Sequence, residues 1–234
     1  MSDIRLHAWP TPNAYKISIM LEECDLDYEA VPVNLMQGDQ HSEAFLKLNP
    51  NGKMPVLEDT NGKEGEPVTI FESGAILIYL AEKTGQFLPA QGNARYQVLQ
   101  WLMWQMGGFG PMLGQAHHFR IYAPERVQYA YDRYTNESIR LYDVLEHTLS
   151  ETTYVAGETY SIADMAVYPW ATGHEKQGVD LGDKPHVQEW LEKLSNREAV
   201  QRGMRLMEEH KRDLQQSPLS AEERANMFGQ TAER

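Results

Sequence analysis

Three short stretches carry side chains whose types and spacing suit the binding of a small zwitterion and of an anionic atom beside it. In Phe71-Glu72-Ser73-Gly74-Ala75-Ile76 an apolar run ends and helical spacing begins, so Ser73 stands where a strand hands over to a helix. A serine hydroxyl and the free N–H groups of a first helical turn form an anion site, and the Glu72 carboxylate suits an ammonium. The pair therefore matches the charged end of an amino acid, carboxylate to Ser73 and ammonium to Glu72. Taken singly, each residue is also explained by a helix cap with an acidic neighbour. Lys53-Met54-Pro55-Val56 follows an Asn-Gly turn and opens a strand. A proline there suits a cis bond that would turn the Met54 N–H and C=O outward to pair with a bound peptide, or it simply starts an edge strand. Thr11-Pro12-Asn13 places a hydroxyl and an amide at the start of a helix, where they donate to a ligand or form and cap the turn.

The elements that must position these residues can be read from the pattern. Ile4 to Ala8 reads as a strand, Ala14 to Glu23 as a helix carrying Ile17, Met20 and Leu21, and Tyr28 to Val33 as a second strand. Glu43 to Leu48 is a short helix stopped by Asn49-Pro50-Asn51-Gly52. Met54 to Leu57 and Val68 to Phe71 flank a polar turn as a hairpin, and Glu72 opens a helix with Ile76, Leu77 and Leu80 on one face. From Ala94 onward only helical spacing remains. Arg95 to Met106 is expected to be a helix interrupted at Gly107-Gly108 and at Gly110-Pro111. After Pro124, the residues Val127, Tyr131, Tyr134, Ser138, Leu141, Leu145 and Leu149 predict a sustained buried stripe. The expected organisation is an α/β unit over 1–84, a linker over 85–92, an all-helical unit over 93–210 and a polar tail over 211–234. The tail is expected to be poorly ordered or laid along the surface.

Composition narrows the partners. The 234 residues carry 34 acidic and 21 basic side chains, a formal charge of −13, which opposes nucleic acid and anionic membranes. An anionic ligand then needs a local positive site. There is no apolar run of membrane-spanning length and no signal-peptide core at the start, and a cytoplasmic location is expected. Cys24 is the single cysteine, which excludes an intramolecular disulfide and any Cys-x-x-Cys motif. It falls about eleven residues beyond the first helical turn, roughly 16 Å along a helical rise, and reads as a packed spectator. Adjacent His117 and His118 point about 100° apart on a helix and make poor joint ligands, so no metal is expected. Trp101 and Trp104, at i,i+3, read as core or interface.

The βαβ, helix, ββα order with Met54-Pro55 and Glu72-Ser73 resembles the glutathione transferase superfamily, over roughly residues 4 to 207. Tyr160-Ser161-Ile162-Ala163-Asp164 resembles the capping box of that superfamily's helical domain, with Tyr160 and Met165 as its hydrophobic staple. Thr11-Pro12-Asn13, the segment 71–84, Gly107 to Gln115 and His117-His118-Phe119 are similar to the bacterial nu class and to its disulfide-bond oxidoreductase members. The resemblance implies a thioredoxin-like domain (βαβ-α-ββα) followed by a helical bundle, and a site for two glutathione molecules or one glutathione disulfide. It implies glutathione-dependent reduction of small disulfides without a protein cysteine, with glutathione as co-substrate and a homodimer as the assembly. The thiolate then belongs to the ligand, and Thr11 and Asn13 are the catalytic candidates, because donors to the anionic form lower a thiol's pKa. By the same resemblance Gln40, Lys53, Met54, Pro55, Glu72, Ser73 and Arg133 bind glutathione, with Lys53 and Gln40 toward the glycine end and Arg133 facing the cleft from the long helix. For Arg133 the plainer account is an i,i+4 pair with Glu137. Tyr15 departs from the pattern, since a tyrosine activates the thiol in other classes. Conjugation of electrophiles, and a non-catalytic glutathione-binding regulatory protein, are the rival functions.

Overall fold

The computed structural model describes residues 2–62, 64–212 and 217–229. Strands β1 (Ile4–Ala8), β2 (Tyr28–Pro32), β3 (Val56–Asp59) and β4 (Val68–Phe71) form one sheet in the order β2-β1-β3-β4. β1 pairs in parallel with β2 and antiparallel with β3, so Leu6 lies between Ala30 and Leu57; β3 and β4 are antiparallel. A parallel pair needs a crossover, which α1 (Pro12–Glu23) supplies. On β3 the neighbours Val56 and Leu57 point to opposite faces. Leu57 enters the main core with Ile17 of α1 and Ile76 of α3 (Ser73–Thr84), while Val56 joins Val33 and Phe45 beneath α2 (Glu43–Leu48). This is the expected thioredoxin-like arrangement, followed by an all-helical lobe.

That lobe holds α4 (Asn93–Trp104), α5 (Gly110–His117), α6 (Gln128–Glu151), α7 (Ile162–Ala171), α8 (His174–Gln177), α9 (Pro185–Ser195) and α10 (Glu198–Gly203). α7 is apolar nearly all round, and all its residues but Trp170 are buried. Its start is sealed by the expected box: Ala163 N–H donates to Ser161 Oγ at 3.3 Å, and Ser161 N–H donates to the Asp164 carboxylate at 3.0 Å. Asp164 also accepts from Val155 N–H at 2.9 Å and from Trp190 Nε1 at 3.1 Å, so one fully buried carboxylate joins three segments. α10 returns to the first lobe and seats on α1. A Cβ on Gly203 would lie 2.6 Å from the Ile19 backbone, so only glycine allows this approach, and Ser18 Oγ donates to the Gly203 carbonyl at 2.7 Å. The main core runs without a break from Leu6 and Ile17 through Phe109 and Tyr142 to Trp190 and Val200. No helix is long and apolar enough to cross a membrane among the described residues.

Two expectations are corrected. The glycines do not interrupt the helix after α4. The chain continues through a π-helical turn, Gln105–Phe109, directly into α5, with Gln105, Phe109 and Gly110 all in right-handed helical conformation. The wide turn changes the hydrogen-bond register just before Pro111, where a regular α-helix would need the N–H that proline lacks. A second π-turn, His118–Tyr122, follows α5. On α6 the buried stripe holds only from Ser138 to Leu149. Val127 is exposed and precedes the helix, Tyr131 is half-buried beneath the guanidinium groups of Arg120 and Arg126, and Tyr134 stacks on Phe119.

Candidate functional site

β1 ends at Ala8, and the chain turns through Trp9 and Pro10 into α1. Thr11 is the N-cap residue, in extended backbone (φ −136°, ψ 157°), but its side chain does not cap the helix. Its hydroxyl donates weakly to the Trp9 carbonyl at 3.3 Å and to the Met54 sulfur at 3.5 Å. Pro12 has no N–H to satisfy, and the N–H groups of Asn13 and Ala14 find no acceptor among the described residues. Asn13 is held from the other lobe, its Oδ1 accepting from Trp170 Nε1 at 2.9 Å, which leaves its NH2 group as the free end. Thr11 and Met54 are thus in contact across the turn, and the Met54–Pro55 peptide is cis.

Beside them α3 begins. Glu72 takes φ 73°, ψ 114°, a left-handed conformation that costs a non-glycine residue about 1–3 kcal/mol, and its side chain is exposed without an ion pair among the described residues. Ser73 is buried, and its Oγ accepts from Lys16 Nζ at 3.2 Å. Lys16 also donates to Gln105 Oε1 at 2.6 Å and to the Met106 sulfur at 3.4 Å. Burial pushes the Lys16 ammonium down to about 7, against the opposing field of Glu72. Lys16, Gln105 and Trp170 escape a sequence reading. Their only sign is a lysine set among Ile17, Ile19 and Met20, on a helix with no acidic residue in its first turn.

Gln40, Lys53 and Arg133 form no side-chain hydrogen bond or ion pair with this group among the described residues. Gln40 is buried in the short turn Asp39–His41, with Nε2 donating to the Asn226 carbonyl at 2.7 Å and Oε1 without a partner. Lys53 is exposed, and its amine forms no ion pair among the described residues. Arg133 is exposed on α6; the plainer alternative, a pair with Glu137, is not formed, and Glu137 takes Arg140 at 2.7 Å instead. Tyr15 is buried beneath the Lys211 ammonium, and its hydroxyl is pushed up to about 12 by burial and by Glu208, so it is poorly suited to act as an ionised base. Cys24 caps the far end of α1, its thiol pushed up by burial and directed at Thr84 Oγ1 at 3.6 Å. His117 is pushed down to about 4 by burial, then by Lys176 and His118. Among the described residues no group of three His, Cys, Asp or Glu side chains is placed to hold a metal.

The described part of the tail is laid over both lobes. His210 stacks on Trp9 at 4.9 Å between ring centres, and Arg212 reaches the Met36 sulfur at 3.5 Å and Glu223 at 2.6 Å. A last helix, α11 (Ala221–Phe228), is capped by Ser220 and Glu223, a spacing readable in the sequence. Its Asn226 side chain donates to the Met36 carbonyl at 2.8 Å, and Phe228 packs on His118 and Tyr122 of the helical lobe.

A mixed sheet with a cis-proline loop and a serine-led helix, joined to an all-helical lobe, defines the class: a thioredoxin-like domain followed by a helical domain that meets it at Asn13 and Lys16. The chain belongs to the glutathione S-transferase family, whose N-terminal domain profile matches residues 2–82 and whose C-terminal domain profile matches residues 108–198. It is 48% identical to the disulfide-bond oxidoreductase YfcG of Escherichia coli, over 84% of this chain and 92% of that one. It is 41% identical to the disulfide-bond oxidoreductase YghU of the same organism, over 86% of this chain and 73% of that one. Among solved structures, a glutathione transferase family member from Pseudomonas fluorescens with two glutathione bound aligns with a TM-score of 0.82 at 43% identity, over 87% of this chain and 92% of that one. A glutathione transferase from Pseudomonas putida with one glutathione disulfide bound per subunit aligns with a TM-score of 0.82 at 43% identity, over 88% and 92%.

Proposed function

We propose that the protein is a glutathione-dependent disulfide reductase whose nucleophile is a bound glutathione thiolate. The observation that carries this reading is the start of α1, which offers Thr11, the Asn13 amide and unpaired N–H groups, while the single cysteine lies at the helix's other end. Relatives named disulfide-bond oxidoreductases, and structures holding two glutathiones or one glutathione disulfide, support it.

In the first step the glutathione sulfur attacks a substrate disulfide, forming a mixed disulfide and expelling one thiolate. A second glutathione thiolate attacks the glutathione sulfur of that mixed disulfide, giving glutathione disulfide and the other thiolate, so two glutathiones reduce one disulfide. Thr11 and Asn13 donate to the attacking sulfur and lower its pKa. Ser73 takes the γ-glutamyl carboxylate and Glu72 its ammonium, Met54 and Pro55 present backbone to the peptide, and Lys53 with Gln40 meets the glycine end. Arg133 seats the second, anionic glutathione. Gln40 Nε2 already donates one hydrogen to the Asn226 carbonyl, so its engagement by the ligand would place α11 beside the glycine end. The same reading assigns residues 1–84 to the glutathione-binding domain and 93–210 to the helical domain. A homodimer accords with the exposed Tyr96 and Met103 on α4, and light scattering at the mass of two chains would support it.

The test is glutathione-dependent reduction of a small symmetrical disulfide, coupled to enzymatic recycling of glutathione disulfide. Cys24→Ala is expected to keep the wild-type rate and Thr11→Ala to lose most of it; the reverse pattern overturns the reading.

A further inference from the structure

Lys16 is 1% exposed and has no carboxylate within ion-pair distance among the described residues. The acidic groups on neighbouring elements are engaged elsewhere: Glu22 with Arg202, Glu23 with Arg197, and Asp164 of α7 within its own cap. Only Glu72, exposed on the rim, acts on Lys16 through its field. A buried cation without a counter-ion is costly, and in a chain of net charge −13 an unpaired one stands out.

Its three partners show what the cation is arranged for. An ammonium only donates, so Lys16 fills an acceptor position on Ser73 Oγ and turns the serine's own hydrogen away. In this structure that hydrogen points at the Met106 sulfur, 3.5 Å off and a weak acceptor. Gln105 presents its oxygen to Lys16, while its Nε2 has no partner and lies 2.5 Å from where a Cβ on Gly110 would sit. The π-turn and the glycine together leave room for that amide.

We propose that Lys16 is a positioning residue that holds Ser73 as a hydrogen-bond donor and supplies the buried positive charge completed by the γ-glutamyl carboxylate of the ligand. The proposal rests on the glutathione reading above. It has a consequence that simple packing would not produce. An ammonium that gains a carboxylate beside it holds its proton more tightly, so binding above neutral pH draws a proton from solvent.

The experiment is titration calorimetry of the full chain with S-methylglutathione, which has no ionisable thiol, at pH 8 in buffers of different ionisation enthalpy. The wild type is expected to take up more than half a proton per ligand. Lys16→Met is expected to lose that uptake and to bind about tenfold to a hundredfold more weakly. Ser73→Ala and Glu72→Gln serve as references. If both bind as the wild type does, the glutathione reading of this site fails. If they bind weakly while Lys16→Met keeps affinity and proton uptake, the lysine proposal alone is overturned.

Discussion

Two helix starts in this molecule use the same residue chemistry to opposite ends. α7 begins with Ser161, whose hydroxyl and N–H are both engaged, and with buried Asp164, which accepts from Ser161, Val155 and Trp190. α1 begins with Thr11, whose hydroxyl leaves its own helix uncapped, and carries buried Lys16, whose charge meets only neutral partners. One start is finished by the protein. The other leaves N–H donors unpaired among the described residues and a cation without a counter-ion. A polar group without a partner is therefore meaningful here because the same fold shows, about 150 residues later, what a completed start looks like.

Variants can break the contrast. The largest effect is expected at the finished start: Asp164→Ala leaves buried donors without an acceptor and should cost about 4 kcal/mol, measured by urea unfolding. At the unfinished start the lysine should cost stability and contribute binding. Its pKa is lowered from the free-lysine value of 10.5 to about 7, so between those values the unfolded chain holds more protons than the folded one, and stability rises with pH. Lys16→Met should remove that rise and, without ligand, should be more stable than the wild type at pH 6, by a few kcal/mol at most, roughly. Thr11→Ala should lower kcat/KM for disulfide reduction about tenfold with a stability change below about 0.5 kcal/mol, because it removes a donor that the fold itself barely uses. Ser161→Ala should do the opposite, costing about 1 kcal/mol of stability and leaving the rate alone. Cys24→Ala should change neither measurably.

How much of this was legible in the sequence follows from which forces are local. The chain order of strands and helices in the first lobe came through because apolar runs, Pro55 and the Asn-Gly turn act on their own neighbourhood. So did the start of α7, since Ser161 and Asp164 are only three residues apart. The helix through Gly107 and Gly110 was not legible. Glycine and proline signal a break unless a wide turn absorbs them, and that turn is packed against distant α7. Lys16 was hidden for a related reason. A lysine on a helix is solvated by default, and it takes the approach of Ser73, Gln105 and Met106, 57, 89 and 90 positions away, to enclose it. The tail looked merely polar, although Ser220 and Glu223 announced a helix; its seat depends on Met36, Gln40 and His118, which no local pattern connects to it.

The unbroken core bears on how the protein fails. Because α10 lies with Gly203 against the backbone of Ile19, neither lobe has a complete interior of its own. Denaturant should therefore meet a single cooperative unit, with sheet and helical lobe lost in one transition. No half-melted state then leaves Asn13 and Lys16 standing without Trp170 and Gln105 of the other lobe, and the site is as durable as the fold itself.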